Sequence, residues 1–187
     1  MTVRFPIVFL SILMLLPGCA KKDTSETSGQ AASPGSDNVA EVISVVKRAD
    51  KAPNFSWKDA SGKTINLDSL HADVTLLNFW ATWCGPCKKE LPDLIELSKD
   101  FAHRKVRFIG VSVDRGPNII EDVKSFVRQE DIPYQNVLAT DELVEAYGNV
   151  RSIPTTFLIN AEGKIVQTFV GFRPKELYAA SIIALLK

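Results

Sequence analysis

Trp83-Cys84-Gly85-Pro86-Cys87 lies between the apolar run Val74-Thr75-Leu76-Leu77-Asn78-Phe79-Trp80 and a helix-like stretch from Lys88 to Phe101. A run of seven largely apolar residues reads as a strand buried on both faces. The stretch after it has the apolar spacing of an amphipathic helix. Two thiols one helical turn apart, where a strand hands over to a helix, form a reversible dithiol/disulfide couple. The rest of the chain is read outward from that junction.

The 187 residues are 45% hydrophobic and 24% charged, enough for one ordinary core with appendages. Lys+Arg and Asp+Glu both number 22, with no basic or acidic block, so nothing points to nucleic acid. The three cysteines leave Cys19 as the odd one, far from the pair, so the domain has no structural disulfide framework.

Residues 1–18 read as an export signal: Arg4 precedes an apolar run from Phe5 to Leu16, too short for a bilayer core of ~30 Å. Leu16-Pro17-Gly18-Cys19 resembles the bacterial lipobox, which implies that Cys19 is lipidated and tethers the protein to the extracytoplasmic face of a membrane. The alternative is an ordinary secretory signal with an incidental cysteine. Residues 19–51 are expected to be a flexible tether, since Ala20 to Asp37 carries no aromatic or large aliphatic residue. Such a segment reaches roughly 25 Å. Within the tether, Val39, Val42, Ile43 and Val46, behind Asp37-Asn38 as a cap, predict a short helix over 39–49.

The domain is placed at 52–187 and the chain is α/β. Phe55 to Lys58 and Lys63 to Leu67 flank a Gly62 turn as an N-terminal hairpin. Val106 to Val113 is a second buried strand, and Ile119 to Gln129 an amphipathic helix. Asn136 to Ala139 is a short strand, and Asp141 to Tyr147 a short helix closed by Gly148. Thr155 to Ile159 and Lys164 to Val170 form a late hairpin, and Pro174 opens a final helix. Strands separated by helices imply parallel neighbours, and the late hairpin adds an antiparallel edge. The expected result is a mixed central sheet with helices on both faces, an N-terminal β-hairpin and a central βα insertion.

This order resembles the thioredoxin superfamily. FWATWCGPCKKELP (Phe79–Pro92), SIPTTFLINAEGKIV (Ser152–Val166) and the extra segment from Gly116 to about Ala139 are similar to the ResA/TlpA group of membrane-anchored thiol-disulfide oxidoreductases. The likeness spans about residues 52–187.

Cys84, just ahead of the helix where free N–H groups favour an anion, is the candidate nucleophile. Cys87, three residues on, is the candidate resolving thiol. Gly85 permits the tight turn, and Pro86 suits a first helical turn that needs no N–H from it. Half of a zinc site is the competing reading of CxxC, but no second CxxC exists and His71 and His103 lack ligand spacing, so no metal is expected. The resemblance implies that Glu90 handles protons for the thiols; the bland alternative is a solvated helix glutamate. Asn78 stands where thioredoxin carries a buried acid, and an amide cannot relay protons, so a hydrogen-bonded core amide is expected there. The resemblance also implies a cis Ile153-Pro154 bond packed against the CxxC, with the Ile153 backbone offered to an extended substrate. Trp83 is expected on the surface beside Cys84 and Trp80 in the core; Pro92 should kink the CxxC helix.

The leading function is an extracytoplasmic reductase of client disulfides, using only the Cys84-Cys87 disulfide and no other cofactor. The resemblance implies cytochrome c maturation: the client is an apocytochrome or an intermediary, and a membrane thiol donor re-reduces the protein, which acts as a monomer. Gly-Pro between the cysteines is the dipeptide of thioredoxin, a reductant with a potential of ~−270 mV. The alternatives are a thiol peroxidase, whose Pro-x-x-x-Thr-x-x-Cys pattern Thr82 and Cys84 do not match, and a non-enzymatic binding or chaperone module of the same fold.

Overall fold

The computed structural model describes residues 1–2 and 38–186; the export signal, Cys19 and the tether as far as residue 37 lie outside the described residues. Strands run Val39–Val46 (β1), Asn54–Lys58 (β2), Thr64–Asn66 (β3), Val74–Trp80 (β4), Val106–Ser112 (β5), Gln135–Leu138 (β6), Thr155–Asn160 (β7) and Ile165–Val170 (β8). Helices run Gly85–Asp100 (α1), Ile119–Gln129 (α2), Asp141–Ala146 (α3) and Lys175–Leu185 (α4), with a 3-10 turn at Leu67–Leu70. The sheet order is β3-β2-β1-β6-β5-β4-β7-β8. β4, β5, β6 and the first half of β1 are mutually parallel, while β7, β8 and the β2-β3 hairpin are antiparallel to their neighbours. This is the mixed sheet that the sequence predicts.

All seven residues of β4 are buried because neighbours flank it on each side and helices cover each face. Leu77 and Phe79 point to one side with Ile109, Phe157, Tyr147 and Phe55. Val74 and Leu76 point to the other, against Leu94 and Leu97 of α1 and Tyr178 and Ile182 of α4. The α1 residues that face inward are Cys87, Glu90, Leu91, Leu94 and Leu97, a stripe at helical spacing. Pro92 lies inside α1, where its ring removes the bond to the Lys88 carbonyl.

One expectation is corrected. Val39–Val46 is a strand within the sheet, not a helix within a tether, so the folded unit reaches well before Ala52. Five of its eight residues are β-branched, which favours a pleated strand over a helix. Asn38 does not cap a helix: its side-chain amide donates to the carbonyls of Ile132 and Tyr134, fixing β1 beside β6. Val39 to Glu41 pair with Asn136 to Leu138, and Val42 to Val46 pair with β2 across a register shift between Val42 and Ser44. That irregularity gives the apolar residues their misleading spacing.

Candidate active site

The C-terminal ends of β4 and β5, the start of β7 and the end of β8 meet at one edge of the molecule. Cys84 is the N-cap of α1, with extended backbone at φ −80° and ψ 108°. Its sulfur accepts the N–H of Cys87 at 3.2 Å and is joined to the sulfur of Cys87 in a disulfide. An N-cap sulfur that already accepts a helix N–H sits where a thiolate gains from the free donors and positive end of the helix. Both cysteines are nearly buried, whereas Gly85 and Pro86 are exposed and the neighbouring Trp83 is 67% exposed. Trp80 is in the core, its indole N–H donating to Asn136 Oδ1 at 3.2 Å.

The Ile153-Pro154 peptide is cis and brings the Ile153 carbonyl oxygen to 3.8 Å from Cys84 Sγ. Pro154 is buried, and its carbonyl accepts the Gly171 N–H at 2.7 Å, which ties the β8-α4 connection to the cis-proline turn. The CxxC, this turn and the segment from Gly171 to Pro174 therefore lie side by side.

Glu90 is 1% exposed, one helical turn beyond Cys87. Its Oε1 accepts the Tyr178 hydroxyl at 2.6 Å and the Arg173 backbone N–H at 3.1 Å; Oε2 accepts Asn78 Nδ2 at 3.4 Å. Asn78 also donates to Thr156 Oγ1 at 2.8 Å, which lies 3.2 Å from the Tyr178 oxygen. Burial raises the Glu90 pKa above the ordinary carboxyl value, while the donations from Tyr178, Arg173 and Asn78 pull it back and the nearby Asp93 adds to the rise. Burial and the Glu90 contact push the Tyr178 phenol far above its usual value, so it remains a protonated donor. The solvated reading of Glu90 does not hold.

Sequence reasoning missed the partners that hold these groups. Tyr178, Thr156 and the Arg173 main chain come from α4, β7 and the turn before α4, and only the fold unites them with Glu90. Asp114 was missed as well: its carboxylate, 6% exposed, accepts the Thr82 hydroxyl at 2.6 Å, the Thr82 N–H at 3.0 Å and the Ser112 hydroxyl at 2.8 Å. It fixes the loop that carries Cys84. The available signal was polar residues at the ends of two adjacent parallel strands. His71 and His103 are exposed loop residues, as expected.

The model of the AhpC/TSA family matches residues 49–168. The thiol-disulfide oxidoreductase ResA of Bacillus subtilis is 40% identical over 127 residues, covering 67% of this chain and 69% of that protein. Among solved structures, a thiol:disulfide interchange protein of the thioredoxin family from Chlorobium tepidum is 33% identical with a TM-score of 0.66, covering 75% of this chain and 98% of its own. The exposed lipoprotein thioredoxin Etrx1 of Streptococcus pneumoniae is 31% identical with a TM-score of 0.60, covering 70% and 98%.

Proposed function

We propose that this chain, which belongs to the AhpC/TSA family and within it to the ResA-like thiol-disulfide oxidoreductases, works as a reductase of client-protein disulfides outside the cytoplasmic membrane. The observation that carries the reading is the placing of Cys84: its sulfur accepts a helix N–H and lies beside the carbonyl preceding a cis proline.

The reduced enzyme attacks one sulfur of a client disulfide with the Cys84 thiolate, forming a mixed disulfide and releasing one client thiolate, which takes up a proton. The client main chain pairs with the exposed backbone beside Pro154 during this step. Cys87 then gives up its proton, attacks Cys84 Sγ and expels the second client thiolate, which takes up a proton from solvent as the first did. The client gains two electrons and two protons, and the enzyme is left as the Cys84–Cys87 disulfide of this structure. Glu90, buried with a raised pKa, takes the Cys87 proton and returns one when a membrane thiol donor reduces the pair. Asn78 orients Glu90 and carries no proton.

The Gly-Pro dipeptide supports the reducing direction. The export signal and Cys19 support a lipid-anchored position, and the likeness to the exposed lipoprotein thioredoxin agrees with it. Cytochrome c maturation, with the client an apocytochrome or an intermediary, is the role we assign on the ResA likeness. Cys87→Ser, expressed in the native cell, tests the mechanism: it should accumulate a mixed disulfide through Cys84 whose partner identifies the client. No covalent partner would point to a binding module, and a potential near −120 mV would remove the reductant assignment.

A further inference from the structure

The chain as a whole is neutral, with 22 cationic and 22 acidic residues, yet the three segments that lie side by side at the CxxC are not. Residues 81–89 contribute Lys88 and Lys89, residues 149–154 contribute Arg151, and residues 171–174 contribute Arg173; none contributes an acid. Lys89 Nζ sits 4.7 Å from the centroid of Phe172, and Lys88 Nζ 5.8 Å from that of Phe126. Lys89 lies over Phe172 of the segment beside the CxxC, whereas Lys88 reaches toward Phe126 of α2; neither ammonium has an acidic partner among the described residues. Arg151 is exposed two residues before Ile153 and likewise unpaired. Arg173 spends one guanidinium N–H on the Phe172 carbonyl and has no ion pair among the described residues.

Acids at the same end of the sheet are engaged or displaced. Asp114 is buried against Thr82 and Ser112, and Asp141 is paired with Arg115 at 2.7 Å. Glu121 and Asp122 lie in the first turn of α2 and Glu142 in that of α3, and Glu90 is buried against Tyr178, Asn78 and the Arg173 main chain.

We infer that this site selects clients whose reducible disulfide is flanked by acidic residues. The inference rests on the reductase reading above and names the chemical class of its substrate. Cations without acidic partners near the reactive cysteine draw an anionic segment in and orient it, raising the encounter rate with little demand on side-chain fit. Trp83 and the backbone at Ile153 then supply the short-range contacts. An anionic membrane would also be drawn to these cations, but they lie beside the reactive cysteine, which apposition to a flat surface would cover.

The test uses the full chain, reduced, in uncharged detergent, with three peptides that share one disulfide loop and carry Glu, Ser or Lys on its flanks. Stopped-flow rates are followed by tryptophan fluorescence at roughly 20 and 500 mM salt, where the screening length is about 20 Å and about 4 Å. The Glu peptide should react about tenfold faster than the Lys peptide at low salt, and the gap should close at high salt. In the triple variant Lys88→Glu, Lys89→Glu, Arg151→Glu the order should invert, with the Ser peptide correcting for any change in thiol reactivity. Equal rates for the three peptides, or an order unchanged in the variant, would overturn the inference while leaving the reductase intact. No reduction of any peptide, Ser included, would overturn the reductase reading itself. Binding to phosphatidylglycerol vesicles that the triple variant loses, with no preference among peptides, would assign the cations to a membrane.

Discussion

Glu90 is a buried carboxyl group with three donors aimed at it. Because burial outweighs those donors, the folded protein keeps the Glu90 proton to higher pH than the unfolded chain does. Between the ordinary carboxyl pKa and the raised one, folding therefore takes up a proton, and stability falls as pH rises through that window. Urea unfolding of the oxidised protein from about pH 4 to 8 should show this slope. Glu90→Gln should flatten it and be the more stable protein at the upper end; parallel slopes would mean that Glu90 does not titrate there. Turnover of a disulfide substrate by Glu90→Gln should fall about a hundredfold, the scale of a lost acid-base group. Tyr178→Phe removes only the hydroxyl that donates to Oε1 at 2.6 Å. It should cost about 2 kcal/mol at neutral pH and move the pH midpoint of the exchange rate upward. A purely structural role for Tyr178 would lower stability and leave that midpoint in place.

The elements differ in how plainly the sequence announces them. β4, the CxxC and α1 were legible because burial on both faces leaves a continuous apolar run, and a helix with one buried face leaves a periodic one. β1 was not, since its register shift breaks the alternation and its burial depends on β2 and β6, far away in sequence. A chain beginning at residue 52 should consequently fail to fold, whereas one beginning at residue 38 should give a cooperative urea transition. Two native-like transitions of equal midpoint would show β1 to be dispensable. Gly110 is a further element-scale constraint. A Cβ there would lie 1.9 Å from Asn136 Oδ1 and 2.7 Å from Trp80 Nε1, in the polar contact that joins β4 to β6 across β5. Gly110→Ala should destabilise by about 3 kcal/mol, read as a lower denaturation midpoint with no loss of thiol reactivity in the protein that remains folded. The cysteines of the site were equally legible, because their chemistry is local. The supports of Glu90 and Thr82 were not, because each is contributed by an element whose position only the sheet order fixes.

At the scale of the whole molecule, the direction of electron flow is set by whether folding favours the disulfide or the dithiol. Two features favour the dithiol: the helix N-terminus at Cys84, and the cations near it, both of which stabilise a thiolate. Opposing them, Cys84 and Cys87 are 4% and 5% exposed, and a buried carboxyl lies one turn below Cys87. Low exposure penalises a thiolate, and an ionised Glu90 repels it, whereas the neutral disulfide suffers neither cost. A reductant requires the second pair to prevail. Linkage then makes the oxidised protein the more stable to unfolding, with each 30 mV by which folding lowers the potential equal to about 1.4 kcal/mol. Paired urea titrations of the oxidised and the dithiol forms should place the oxidised midpoint higher at neutral pH. The gap should narrow in Glu90→Gln, since removing the buried carboxylate lowers the cost of the thiolate. A dithiol form that outlasts the disulfide would reverse the assigned direction and make the protein an oxidant of its clients.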